Sequence, residues 1–227
     1  MMINSKVAVI IVNWKKYDIT SSCIESILNS TNSNFKIILV DNESDNKKVK
    51  NFKYRNEIKI IQNKKNEGFS KANNIGIDYA LKNNFDYTIL INNDTIVEKN
   101  LIEVLLKTAQ AKNFSVVQPL ILKYNSKVIW NAGGRINYFF GNFITRKKLG
   151  NSLNSSQELT EWLTGCCCLF KTKIFKEIGK LDESFFAYYE DVDFSLRLKK
   201  HGYKIGFTSK THLYHYESFS SISNNSK

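Results

Sequence analysis

Asp86-Tyr87-Thr88-Ile89-Leu90-Ile91-Asn92-Asn93-Asp94-Thr95-Ile96-Val97 is the stretch whose reading decides the fold. Residues 87–91 join β-branched, aromatic and aliphatic side chains in a short run, the pattern of a strand buried on both faces. Three short polar side chains, Asn92, Asn93 and Asp94, end it abruptly. In an open α/β sheet, ligands collect in the crevice outside the carboxyl ends of the strands, so an acid there meets a site. Asn and Asp also favour turns through local hydrogen bonds. Taken alone, the stretch leaves both readings open.

Working outward, residues 6–12, 35–40 and 58–62 are three more apolar runs of strand length. Between them, Ile19, Cys23, Ile24, Ile27 and Leu28 fall at helical spacing behind a cap at Asp18 or Thr20. A second helix opens at Ser70 and runs through Ala72, Ile75, Ile77, Ala80 and Leu81. Residues 46–57 are polar and carry no clear pattern. Strands alternating with helices over the first hundred residues predict a mostly parallel, doubly wound α/β sheet. Three strand ends then carry an acid or amide: Asn13, Asp41 and Asp94. Parallel strands bring all three to one edge, which turns a set of polar turns into a site.

The second half is less regular. A helix starts at Asn100, and residues 116–119 are expected as a strand ending at Pro119, the chain's one proline. Residues 124–160 suggest a hairpin or mobile loop around Gly133-Gly134 and Tyr138-Phe139-Phe140. Strand character returns over 162–171, then a short helix over 173–178, a helix over 191–201 stopped by Gly202, and a last strand over 203–208. Beyond Ser218 the chain is rich in Ser and Asn, as a frayed tail would be.

At 227 residues, 42% hydrophobic and 24% charged, the chain has the size and balance of one globular domain. We expect that domain over 1–217, with a nucleotide-binding half (1–100), an acceptor and catalytic half (101–217) that includes a smaller acceptor-side subregion, and a flexible tail (218–227). Cys166, Cys167 and Cys168 are consecutive, which fits neither a metal-ligand spacing nor a disulfide framework. With Cys23 they read as reduced packing residues. No apolar run reaches the ~18 residues of a membrane span, and the run after Lys6 is too short for a signal-peptide core. A cytoplasmic protein is expected. The net charge of +12 suits a solvated surface, an anionic membrane or a phosphorylated substrate. No zinc-finger or RNA-recognition signature accompanies it, and no nucleic-acid partner is expected.

Six segments resemble the family 2 glycosyltransferases of GT-A fold, in that family's order: Val9-Ile10-Ile11-Val12-Asn13-Trp14, Val40-Asp41-Asn42, Asn66-Glu67-Gly68-Phe69-Ser70-Lys71-Ala72-Asn73-Asn74-Ile75-Gly76, Leu90-Ile91-Asn92-Asn93-Asp94-Thr95, Trp162-Leu163-Thr164-Gly165 and Tyr189-Glu190-Asp191-Val192-Asp193. The Asn-Glu-Gly-Phe and Asn-Asn-Asp-Thr segments are most similar to the rhamnosyltransferase-like branch. The resemblance implies an inverting transfer from a UDP- or dTDP-sugar to a glycan or lipid-linked acceptor, at the inner face of the cell membrane if the protein is peripheral. In relatives a C-terminal extension is common, and a chain of this length lacks much of it.

Roles follow from the same resemblance. Asp41 would accept the imide N–H of the donor base, with backbone at Val12 and Asn13 completing the pocket. Gly68 would let backbone approach the nucleotide, while Asn73 and Asn74 would face the pyrophosphate from a helix start; ordinary helix-surface polarity is the alternative. Asn92 stands where the family has the first Asp of an Asp-x-Asp pair. It and Asn93 would touch the donor, and Asp94 would hold a divalent cation, Mg2+ or Mn2+. His215, better matched than His212, would be a further metal ligand, or else a structural hydrogen-bonder. Trp162 and Gly165 would border the acceptor, although Trp162 suits a core equally. Asp191, with Glu190, would be the general base. Asp191 and Asp193 also suit a helix N-terminus through capping and the macrodipole alone; that position lowers a carboxyl's pKa, while neighbouring Glu190 pushes that of Asp191 the other way. Two competing functions remain: a sugar-phosphate nucleotidyltransferase, whose usual Gly-rich loop is missing after the first strand, and a basic glycan- or nucleic-acid-binding module.

Overall fold

The computed structural model describes residues 5–31, 34–43, 46–137, 139–140, 142–148 and 159–216. β1 (Val7–Asn13), β2 (Phe35–Asn42), β3 (Lys59–Asn63) and β4 (Tyr87–Asn92) are parallel and stand in the order β3-β2-β1-β4. α1 (Tyr17–Leu28) and α3 (Phe69–Lys82) make the crossovers, and α2 (Asn46–Lys50) fills part of the patternless segment. Alternation along β1 divides the core. Val7, Val9 and Ile11 pack with Cys23, Ile24 and Ile27 of α1 on one face. Ala8 and Ile10 meet Ala72, Ile77 and Ala80 of α3 on the other. A Cβ on Gly76 would stand 2.5 Å from Ile10 Cγ2, so the glycine is what lets α3 lie this close to the sheet.

Beyond β4 the sheet becomes mixed. β5 (Thr95–Val97), α4 (Leu101–Ala111), β6 (Val116–Lys123), β7 (Ile129–Asn131), the hairpin of β8 (Gly134–Asn137) and β9 (Asn142–Thr145), and β10 (Leu159–Thr160) follow. β11 (Cys167–Lys171) then inserts antiparallel between β4 and β6. α5 (Ile174–Glu177), α6 (Glu190–Lys200) and β12 (Ile205–His215) complete the chain, giving β3-β2-β1-β4-β11-β6-β12-β10. Phe170, Phe175 and Phe194 lock β11, α5 and α6 together, with ring centroids 5.1 to 5.7 Å apart.

Several expectations shift. β6 runs on through Pro119, which sits opposite Thr208 where the β12 register slips between Thr208 and His212. A proline lacks the ladder N–H, and sheets tolerate it at such irregularities. The last strand therefore continues from 208 to His215 instead of stopping. Residues 162–166 precede β11 as loop and turn, so the expected strand over 162–171 shrinks to its second half. All four cysteines are buried free thiols, and burial holds the Cys23 thiol up at about 12. The expected tail over 218–227 lies outside the described residues, as does part of the 124–160 segment. Among the described residues no helix is long and apolar enough to cross a membrane.

Candidate active site at the carboxyl edge of the sheet

Register aligns the first polar group. Asn13 pairs with Asp41 across β1 and β2, and Val12 pairs with Asn92 across β1 and β4. Asp41 is fully buried, and its Oδ1 accepts from Asn13 Nδ2 at 3.0 Å and from the Tyr17 hydroxyl at 2.7 Å. The Thr20 hydroxyl lies 2.8 Å from Asn13 Oδ1 and receives the Asn93 amide at 2.9 Å. One polar network therefore joins the ends of β1, β2 and β4. Asn42, buried beside it, donates to Asn66 Oδ1 and accepts from Asn63 Nδ2 and the Glu67 N–H. It shapes the loop before α3. That loop ends at Gly68 with φ +81°, where a Cβ would fall 2.6 Å from the Phe186 carbonyl.

At the end of β4, Asp94 Oδ1 lies 3.2 Å from His215 Nε2. Both residues are buried, at 7% and 6% exposure. Neither atom has a hydrogen-bond partner, because the short approach lacks hydrogen-bond alignment; Asn92 Oδ1 is also unpartnered. A buried carboxylate and imidazole this close, neither hydrogen-bonded, are donor types a divalent cation takes, and among the described residues no third His, Cys, Asp or Glu joins them. The residues therefore fit a divalent cation. Two protein ligands suffice when a diphosphate and water complete the shell, the usual arrangement for Mg2+. Strand pairing creates the approach: β5 runs antiparallel to β12 with Thr95 opposite His215, and the Tyr216 N–H donates to the Asp94 carbonyl. Trp130 packs edge-on against the His215 ring, 4.7 Å between centroids. His212 lies elsewhere, 3.2 Å from Glu98.

Glu190 and Asp191 open α6 behind Tyr188 and Tyr189, both at φ 71°. Asp191 Oδ2 accepts the Gly165 N–H and Oδ1 its neighbour Val192 N–H, each at 2.8 Å. Next to Gly165, the Cys166 carbonyl receives the Asn92 N–H at 2.9 Å, so the turn at Gly165 and Cys166 connects Asp191 to the end of β4. Glu190 is buried with Oε2 unpartnered. Desolvation, then the charge of Asp191, pushes its carboxyl up to about 7. Burial also raises Asp191, despite the opposing N–H bonds. The lowered pKa expected from a helix N-terminus is thus reversed, since removal from water outweighs the helix end.

Other sequence-derived positions have different surroundings. Asn74 is buried and exchanges hydrogen bonds with Leu181, its amide also reaching Glu183 Oε1. It ties α3 to the loop before α6 and is buried, unlike ordinary surface polarity. Asn73, also buried, donates to the Phe69 carbonyl of its own helix. Trp162 is buried beneath the β8–β9 hairpin against Phe143, while Gly165 stands at the acid pair. Tyr17 and Phe186 join the site without a signal in the sequence, Thr20 enters the polar network although its pattern marks only a helix cap, and Asn42 is signalled by the Val-Asp-Asn strand end.

Three comparisons bear on this geometry. Residues 8–179 match the model of the family described as glycosyl transferase family 2. The low-salt glycan biosynthesis hexosyltransferase of Haloferax volcanii is 26% identical over 200 residues, 88% of this chain and 63% of that protein. The rhamnosyltransferase WbbL of Escherichia coli is 23% identical over 92% of this chain and 83% of its own length. The chain thus spans under two thirds of the first relative. Among solved structures, GalNAc-T7 with UDP, GalNAc and Mn2+ superposes with a TM-score of 0.75, at 16% identity, over 93% of this chain and 44% of that one. TarS of S. aureus, residues 1–349, gives 0.68 at 16% identity, over 93% and 60%. With its mixed central sheet and the family match over most of its length, this chain belongs to glycosyl transferase family 2 and has the GT-A fold.

Proposed function

We propose that the protein transfers a hexose, rhamnose being the first candidate, from a UDP- or dTDP-sugar to a hydroxyl of a growing cell-surface glycan or lipid-linked acceptor, with inversion. The observation that carries this is the buried, mutually unbonded pair of Asp94 Oδ1 and His215 Nε2 at the end of β4, linked by backbone to the Asp191 carboxylate. Relatives named as a hexosyltransferase and a rhamnosyltransferase support the choice of sugar class.

Asp94 and His215 would hold a divalent cation, Mg2+ or Mn2+, with Asn92 beside them as a neutral donor contact. When bound, the cation neutralises charge gathering on the departing diphosphate. Asp41, Asn13 and Val12 form the base side of the site, and Asn93 joins that network to the metal side. Gly68 brings backbone close to the donor; Asn73 and Asn74 serve by fixing the start of α3 and its neighbouring loop. Asp191 is the general base. Two backbone N–H bonds fix its orientation, and each carboxylate oxygen keeps a lone pair for the acceptor hydroxyl. As that oxygen attacks the anomeric carbon, Asp191 takes the proton and the bond to the diphosphate breaks with its electron pair leaving on phosphate oxygen. Glu190, largely protonated below neutral pH, shares the buried site with Asp191. Gly165 borders the acceptor, and Trp162 supports that side by carrying the hairpin. Contact with an anionic membrane on the cytoplasmic side fits a lipid-linked acceptor and the net charge of +12.

Calorimetry tests the donor site. UDP or dTDP should bind the wild-type protein more tightly with Mn2+ or Mg2+ than with chelator, and Asp94→Ala should remove that difference. Equal cation enhancement in the variant would place the diphosphate elsewhere.

A further inference from the structure

The β8–β9 hairpin ends in a turn carrying Phe139 and Phe140, 89% and 73% exposed. The two rings lie edge to face, 4.9 Å apart, and touch no other aromatic ring among the described residues. Aromatic side chains this exposed bury little surface within the domain. The backbone below them is unusually self-sufficient: Asn137 Oδ1 accepts both the Phe139 and Phe140 N–H groups, at 3.1 and 3.2 Å. Two N–H groups already satisfied in this way leave water at lower cost than open ones.

Charge is distributed to match. Residues 104–157 contain eight Lys and Arg and no Asp or Glu, so much of the net +12 comes from this one stretch. Four of the eight, Arg135, Arg146, Lys147 and Lys148, are on or directly after the hairpin. Ile144, on β9 opposite Arg135, is also exposed. Aromatic rings at a tip with cations set behind them match the layering of a bilayer, where acyl chains lie beneath phosphate. Stacking on a sugar would instead call for rings lining a concavity with polar partners.

We propose that this hairpin docks the protein on an anionic bilayer, with Phe139 and Phe140 entering the boundary between headgroups and acyl chains and Arg135, Lys147 and Lys148 meeting lipid phosphates. The proposal deepens the membrane contact suggested above and names its element. Trp162 lies under the same hairpin, against Phe143 and Gly134, so docking would set the acceptor side of the site close to the lipid surface.

Co-sedimentation of the full chain with vesicles tests this without nucleotide or acceptor. The vesicles are phosphatidylcholine alone or phosphatidylcholine with phosphatidylglycerol. Phe139→Ser with Phe140→Ser should weaken binding to anionic vesicles by about tenfold or more. Lys147→Glu with Lys148→Glu should weaken it by about fivefold or more per residue, and only where phosphatidylglycerol is present and salt is low. Thermal melts and turnover of nucleotide sugar on a water-soluble acceptor should match wild type for both variants. Wild-type vesicle binding by the phenylalanine variant would overturn the proposal. So would intact vesicle binding with lost transfer, which would make the tip a glycan contact, or self-association without vesicles that the same variant abolishes. Failure of glycosyl transfer itself would appear only in the turnover assay, leaving the vesicle result independent.

Discussion

Replacing Glu190 with Gln tests whether the acid pair is held in a medium that resists charge. The carboxyl stands at about 7 against an ordinary 4.5, mainly through desolvation and secondarily through Asp191. The unfolded chain therefore releases the proton near pH 4.5, while the native protein keeps it up to about 7. Across that window the native state binds more protons, so stability is full below it and falls as pH rises. At about 1.36 kcal/mol per pH unit the ceiling is about 3 kcal/mol, and incomplete removal from water reduces it to roughly 2. Gln keeps the carbonyl oxygen that accepts backbone N–H groups and has nothing to titrate. Urea unfolding at pH 5 and pH 8 reads the difference. The advantage of Glu190→Gln over wild type should grow by roughly 2 kcal/mol between pH 5 and pH 8. Parallel wild-type and variant stabilities across this range would refute the reasoning, because Glu190 would then titrate alike in both states.

Two further outcomes follow from the same geometry. Asp41→Asn keeps an oxygen for Asn13 and Tyr17 but loses the charge, so UDP or dTDP affinity should fall by about 1–3 kcal/mol in calorimetry; unchanged affinity would put the base outside this pocket. Gly165→Ala places a Cβ 3.3 Å from Glu190 Oε1 and 3.7 Å from Asp191 Oδ2. It should lower turnover by about tenfold and move the acid limb of the pH profile upward as water is displaced, whereas a wild-type profile would separate Gly165 from the acids.

Much of this site was legible because strand ends in a parallel sheet share an edge. Asn13, Asp41 and Asp94 could be grouped from the ends of three apolar runs, and the register of β1 with β2 sets Asn13 beside Asp41. What stayed hidden depends on pairings that local pattern does not encode. Nothing in residues 167–171 states that β11 runs against its neighbours. The approach of His215 to Asp94 depends on β5 pairing with β12, more than a hundred residues away in sequence. Pro119 looked like a terminus because the slip in β12 that accommodates it cannot be read from β6. The partners that Asn74 finds in the loop at Leu181 lie more than a hundred residues away in sequence. For Glu190 and Asp191 the helix end and the neighbouring charge are visible in the sequence and the burial is not, so the sequence holds two opposing influences on the pKa without the one that decides it.

The central claim is that a nucleotide sugar is cleaved at this edge, with Asp191 as base. Release of nucleoside diphosphate from a panel of UDP- and dTDP-sugars, with candidate glycan or lipid-linked acceptors, tests it on wild type and Asp191→Asn. Asn suits a helix start about as well as Asp, so folding and nucleotide binding should survive the change. The account predicts acceptor-dependent release by wild type with at least one donor, and a loss of ~10²-fold or more in the variant with unchanged nucleotide affinity. Near wild-type release by Asp191→Asn, or no release from any donor in a folded, nucleotide-binding wild type, would contradict it.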